Sequence, residues 1–275
     1  MEIHNAPSWD NAKAFAQSLG EGWIFRGMAD ADWPLRTSLE RLETTDRPGL
    51  ERQLLTEFQR RALTHLEPNF VPAEDSVFRW WALMQHYNAP TRLLDWTHSF
   101  YIACFFAFEP QIENPATRAV WAIRTSWLQS ALAEQFVLTQ EREGKHRRFD
   151  GTVEARAREQ RRALAGIVNN AEGVVTNLFR DNPYLGVLPV EPWLYDARQA
   201  AQQSIFLCPA DSTRTFADNL DACRAPQSGA DLVKVELDGT FRRETLRDLQ
   251  RMNVSAATLF PGLDGLGRSL QTRYV

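Results

Sequence analysis

An α+β fold is what this sequence predicts: a single domain over residues 1–275, built on one or more short mixed or antiparallel sheets surrounded by helices. Three observations carry the prediction. Strand-like apolar runs and amphipathic helical segments are interspersed without the regular alternation of a doubly wound sheet. No internal repeat and no linker divides the chain. With 44% hydrophobic and 24% charged residues and 14 each of Gly and Pro, the proportions are those of an ordinary globular protein, which sets aside disorder, collagen and coiled coil.

In chain order, Ser8 is placed to cap a helix over 9–19 that Gly20 closes, serving the unpaired backbone groups at its two ends. WIFRGM at 23–28 reads as a strand. Helices follow at 50–65 and 76–87, the second turning Phe78, Trp81, Leu83 and Met84 toward a core, until Asn88-Ala89-Pro90 breaks it. Residues 91–96 continue as a short extended segment and 98–108 as an apolar helix that Pro110 stops. RAVWAIR at 118–124 alternates like a half-buried strand, 139–151 is the best candidate for a mobile loop, and 153–168 is helical. Strands at 185–190, 204–208 and 232–237, a helix at 240–252 and another near the C-terminus complete the pattern.

Thirty-one basic residues stand against 35 acidic ones, well mixed, so no net field draws the chain to nucleic acid or an anionic membrane. Lys13, Lys145 and Lys234 are the only lysines, which makes 28 of the cations arginine, planar forks suited to carboxylate or phosphate. All the tryptophans except Trp193 lie at or before Trp127, placing most of the large amphipathic aromatics in the N-terminal half. Cys104, Cys208 and Cys223 share no CxxC or zinc-ribbon spacing, which points to a reducing compartment. The start MEIHNAPSWDNAK lacks the segments of a signal peptide, and no apolar run approaches a membrane span, so a cytoplasmic location without a membrane partner is expected. Dinucleotide, P-loop, zincin, nucleophile-elbow and EF-hand signatures are absent, and the five histidines are too scattered to predict a metal site.

Polar chemistry in an apolar setting is densest over 85–98, where ten side chains donate or accept hydrogen bonds between the apolar flanks 80–84 and 100–108. Buried polar groups left unpaired cost roughly 1–3 kcal/mol each, so these need partners. In one reading Arg92 and Asp95 form a buried pair that pins the turn; in the other, Arg92, His86 and Thr97 project into a cleft. Phe25-Arg26-Gly27 ends a strand with an arginine beside aromatics and a glycine that admits another backbone or a ligand. LFPGLDGLGRSL at 259–270 is a Pro-Gly turn into a last helix, favoured as a packing motif over an anion cradle. The basic run over 142–162 is interleaved with acidic residues and holds only Phe149 among aromatics, which favours a solvated face over a nucleic-acid site.

Taken together, Phe25-Arg26-Gly27, Gln85-His86-Tyr87 running into Pro90-Thr91-Arg92-Leu93-Leu94-Asp95-Trp96-Thr97, Gln203-Ser204-Ile205-Phe206 and Leu259-Phe260-Pro261-Gly262-Leu263-Asp264-Gly265 resemble the FRG-domain family, named for its Phe/Tyr-Arg-Gly signature. The resemblance runs over about 23–270 and implies a domain, not a reaction. Where the family often shows Gln-Gly before the Phe, this chain has Gln203-Ser204-Ile205. The strand-end arginine followed by a hydroxyl-rich segment is also similar to the arginine class of ADP-ribosyltransferases. That similarity implies an ADP-ribosyltransferase-like sheet, NAD as cofactor, Arg26 on its phosphate or ribose, and Thr97 or Ser99 in the supporting segment. Such enzymes also hold the ribose with a carboxylate, but no Gln/Glu-x-Glu triplet stands on a strand here, since Lys234 is two before Glu236.

The resulting expectation is an Arg-lined pocket for a nucleotide or other small anionic ligand, with NAD-dependent ADP-ribosyl transfer or NAD hydrolysis as its enzymatic form. His86 and Asp95 are the candidate acid/base residues. Arg26, Gly27, Gln85, Thr91, Arg92, Trp96, Thr97 and Gln203 are the candidate ligand contacts, and no metal is expected. The alternatives are a non-catalytic module for a protein or anionic partner, and nucleic-acid binding through the 142–162 face.

Overall fold

The computed structural model describes residues 2–112, 117–142, 152–181, 184–191, 196–223 and 231–273. Its strands are β1 (Glu2–Ala6), β2 (Trp23–Met28), β3 (Leu94–Thr97), β4 (Arg118–Arg124), β5 (Val187–Val190), β6 (Ser204–Pro209) and β7 (Leu232–Leu237). They form one seven-stranded sheet in the order β1-β7-β4-β2-β3-β6-β5. The β1–β7 pair is parallel and every other pair antiparallel. Helices α1 (Trp9–Ser18), α2 (Arg47–Ala62), α3 (Val77–His86), α4 (Phe100–Phe108), α5 (Thr125–Arg142), α6 (Val153–Asn169), α7 (Ala171–Asp181), α8 (Ala197–Ala201), α9 (Phe216–Asp221), α10 (Arg242–Arg251), α11 (Ala256–Leu259) and α12 (Leu263–Arg273) surround it. The α+β expectation, with a mixed sheet among helices, is borne out.

Local chemistry accounts for most boundaries. Ser8 accepts the Asn11 amide at the start of α1, and Gly20 follows its end at φ +72°. Asn88 ends α3 by taking φ +59°, and the Ala89 amide then donates to the Met84 carbonyl at 2.8 Å. Helix α2 starts three residues before the predicted 50, because Asp46 caps the Gly49 amide and Pro48 occupies the first turn. The segment predicted as extended over 91–96 enters the sheet only at Leu94. Residues 139–142, expected to loop, continue α5; 143–151 lie outside the described residues.

Alternation along the strands divides the core. Trp23 and Phe25 of β2 join Val120, Ala122, Val233 and Val235 beneath α1, α4 and α10. Ile24 and Met28 face the other way, with Ile123, Trp96 and Ile205. A third cluster fills the space among α2, α3, α5, α6 and α7 and the β6 residues Phe206 and Cys208.

Helix α4 is apolar on every side and lies directly on β2. Gly27 makes that approach possible: a Cβ there would stand 1.9 Å from the Ala103 carbonyl oxygen. At the helix's C-terminal end, where carbonyls lack intrahelical partners, arginines supply donors. Arg118 Nη1 donates to the carbonyls of Ala29 (2.7 Å) and Ala107 (3.4 Å), and Arg242 to those of Phe108 (2.9 Å) and Glu109 (3.0 Å). Cations at that end also complement the helix dipole, so part of the arginine excess serves main-chain carbonyls.

Candidate functional site: a split between two strands

Strands β2 and β3 meet at a single register pair, Phe25 opposite Thr97. Strand β2 is fully paired on its other side, from Trp23 opposite Arg124 to Met28 opposite Ala119. Strand β3 is likewise paired with β6, from Leu94 opposite Leu207 to Thr97 opposite Ser204. Past the Phe25–Thr97 pair the two strands part, and a side chain replaces the missing ladder bond: Arg26 Nη1 donates to the Asp95 carbonyl at 2.6 Å. The split opens into a cleft of about 530 Å³. One wall comes from β2 and the connection after it (Arg26, Trp33, Arg41), another from β3 and the end of α3 (Asp95, Trp96, Gln85), and a third from α8 (Arg198).

Three arginines, Arg26, Arg41 and Arg198, thus line the cleft with one carboxylate, Asp95, among the described lining residues. The carboxylate is held: Gln85 Nε2 donates to Asp95 Oδ2 at 2.8 Å, and Thr91 Oγ1 donates to Gln85 Oε1 at 2.5 Å. Thr91 in turn fixes the connection after β2, since its carbonyl accepts from Ser38 Oγ (3.1 Å) and the Leu39 amide (3.0 Å). Burial pushes the Arg26 guanidinium below the usual arginine value, Arg41 adds to the effect and Asp95 opposes it; arginine stays cationic regardless. Two donors in this lining, Arg26 Nε and Trp96 Nε1, are buried and have no hydrogen-bond partner.

Residues 21–115 match the family model of the FRG domain. This bears out the resemblance drawn from Phe25-Arg26-Gly27 and the 85–97 motif. The FRG segment supplies β2, β3, α3 and α4, hence both edges of the split. The Gln203-Ser204-Ile205-Phe206 and Leu259 to Gly265 motifs lie beyond the matched residues, as does Arg198. No curated protein and no solved structure gives a significant match to the chain.

The two arginines of the sequence motifs, Arg26 and Arg92, part company. Arg92, expected at a ligand or paired with Asp95, does neither: it is 1% exposed. Its Nε donates to Glu51 Oε1 at 2.7 Å and its Nη2 to Glu51 Oε2. It also lies 5.0 Å from the Trp81 ring centre. The partner was missed because Glu51 sits 41 residues earlier, on a helix whose inner face the sequence did not reveal.

His86 does not line the cleft; its Nδ1 is 2.7 Å from Asp196 Oδ2, and Asp196 caps α8 by accepting the Gln199 amide. Thr97 lines the cleft, but its hydroxyl is engaged internally, donating to the Gln202 carbonyl (2.7 Å) and accepting from the Ser99 amide (3.1 Å). Ser99 caps α4. Gln203 is an exposed residue at φ +47° outside the lining, whereas its neighbours Gln202 and Ser204 belong to it. Gly265 approaches the Phe260 carbonyl so closely that a Cβ would lie 1.8 Å from it, so the 259–270 segment is a packing motif. On the described part of the 142–162 face, Arg156 lies 3.8 and 3.9 Å from Glu134 and Glu141, and Arg162 3.5 Å from Glu159.

Arg41, Arg198 and Trp33 were missed altogether. Each lies outside any motif, and only the folding of their segments around the split brings them together.

Proposed function

We propose that the cleft between β2 and β3 binds a small anionic ligand of nucleotide size. The reading rests on the convergence of Arg26, Arg41 and Arg198 on a cleft whose one described carboxylate, Asp95, is already held by Gln85. Guanidinium forks meet phosphate oxygens two at a time. The volume of about 530 Å³ falls in the range of small-molecule pockets, and Trp33, 50% exposed, with Phe106 offers ring faces for a base.

NAD is the first ligand to test, since Arg26 stands where the similarity to the ADP-ribosyltransferases puts the arginine that positions it. In ADP-ribosyl transfer or NAD hydrolysis, Asp95 is the residue in reach of the cleft to hold a ribose hydroxyl or stabilise developing positive charge. His86, tied to Asp196 outside the lining, is left out of this reading.

Calorimetric titration with NAD, ADP-ribose, ATP and pyrophosphate tests it. Binding with Kd between about 1 μM and 1 mM is expected, weakened at least tenfold by Arg26→Ala in a protein that remains folded. Absence of binding by all four ligands overturns the reading. Nicotinamide release from NAD reports turnover in the same samples, and Asp95→Asn is expected to abolish it.

A further inference from the structure

Register lines up four side chains on one face of the sheet. Lys234 of β7 is opposite Trp121 of β4, and Trp121 is opposite Arg26 of β2. One step past the Phe25–Thr97 pair, Trp96 of β3 comes level with Arg26. Neighbouring strands are about 5 Å apart, so Lys234, Trp121 and Arg26 adjoin on the face that otherwise buries Ile24, Met28, Ile123 and Ile205, and Trp96 stands on the same face across the split. In that apolar setting Arg26 Nε and Trp96 Nε1 are buried without a partner, and both residues line the cleft. Eight further buried polar atoms among the described residues are equally bare, Trp121 Nε1 among them, but none of their residues lines the cleft.

Buried donors are nearly always paired, and an unpaired one carries its desolvation cost uncompensated. Two of them, level with each other on strands that have parted, call for the same thing, an acceptor. The nearest carboxylate cannot serve, because Asp95 precedes Trp96 on β3, points to the opposite face and is engaged by Gln85. Resting on the anion-binding reading above, we infer that Arg26 Nε and Trp96 Nε1 form a donor-only seat for one phosphate oxygen of the ligand. An indole and a guanidinium offer no acceptor, so the seat rejects an ammonium or an amide N–H, and the arginine charge favours an anionic oxygen over a neutral carbonyl. Three guanidiniums against one carboxylate leave two positive charges to be matched, which suits a doubly charged phosphate better than a carboxylate.

The test uses the full chain labelled with nitrogen-15 and titrated with inorganic pyrophosphate, the indole signals being assigned through their backbone connectivities. The Trp96 indole N–H is expected to shift and to exchange more slowly with water as sites fill, while the Trp121 indole stays in place. Trp96→Phe, which keeps a ring and removes the N–H, is expected to weaken pyrophosphate about tenfold, the effect of one lost hydrogen bond. Trp121→Phe is expected to leave affinity within twofold. Pyrophosphate binding with an unmoved Trp96 indole overturns the seat and leaves the anion cleft standing, and this measurement decides the matter even if Trp96→Phe does not fold. A wild-type chain that binds neither pyrophosphate nor any nucleotide overturns both.

Discussion

Arg26 and Arg92 lie in the same FRG segment, each beside buried aromatics, yet their electrostatics run in opposite directions. Burial works against both charges. For Arg92 it is outweighed by Glu51, whose charge and hydrogen bonds leave the guanidinium above the usual arginine value. For Arg26 it is not outweighed: Asp95 offers partial compensation, Arg41 repels, and the guanidinium ends below the usual value. Arg92 therefore has its anion folded into the protein and belongs to the frame that joins α2, α3 and β6. Arg26 leans on a main-chain carbonyl at a break in the sheet, and its environment still lacks an anion. The presence of a folded-in carboxylate separates the structural arginine from the available one.

Breaking the sealed side of this comparison has the largest expected effect. Arg92→Leu or Glu51→Leu alone strands a buried charge and is expected to cost about 3–5 kcal/mol in denaturant unfolding. The double variant removes both charges and is expected to be more stable than either single variant. Equal losses in all three would show that packing against Trp81, and not charge pairing, gives Arg92 its weight. Next comes Gly27→Ala. The added Cβ meets the Ala103 carbonyl at 1.9 Å, backbone that cannot rotate away, so a loss of at least about 1–3 kcal/mol is expected. A variant with wild-type stability would show that α4 is free to lift from β2.

This contrast also marks what was legible in the sequence. Local rules found most elements, because Ser8, Asn88 and the alternation of RAVWAIR act within a few residues of themselves. Strand β1 escaped: EIHNA has no apolar alternation, and it is a strand because its backbone pairs with β7 more than 200 residues on. Helices α8 and α9 escaped because they span only five and six residues, although capping boxes open them (Asp196 with Gln199, Thr215 with Asp218); α7 follows directly on α6, and α5, with buried Leu128, Leu132 and Val137, ran into a stretch that looked like loop. At the site, Arg26, Gln85, Asp95, Trp96 and Thr97 line one cleft, since one motif and one adjacent strand carry them. The Arg92–Asp95 pair, one of the two readings left open, fails for a physical reason: Asp95 is near in sequence, but Arg92 lies before β3 and is sealed against Glu51, whereas Asp95 on β3 is exposed.

On the open side the effect on stability shrinks while the effect on binding grows. Arg26→Ala removes one hydrogen bond to a carbonyl, so a loss of only about 0.5–1.5 kcal/mol in unfolding is expected, together with the loss of anion affinity. If Arg26→Ala destabilises as much as Arg92→Leu, Arg26 is a frame residue as well and the distinction between the two collapses.

The smallest effect belongs to an ion pair that is neither sealed nor open. Lys13 and Asp248 lie 2.9 Å apart with side chains 22% and 24% exposed, and Trp9 Nε1 donates to the same carboxylate at 2.7 Å, tying α1 to α10. The hydrogen bond from Lys13, then that from Trp9, holds the Asp248 carboxyl below its ordinary value of 3.8. Because the folded value lies below the unfolded one, the contribution is complete above pH 3.8 and is lost as pH falls through the folded value. Asp248→Asn keeps an acceptor for Trp9 and removes the charge. It is expected to lower stability by less than about 1 kcal/mol at neutral pH, as partly wet pairs do, with the gap to the wild type closing as pH drops below 3.8 in thermal unfolding. A gap that persists at strongly acid pH would mean the contact works through packing, and solvent access would then no longer explain why a pair on the rim weighs so much less than Arg92 with Glu51.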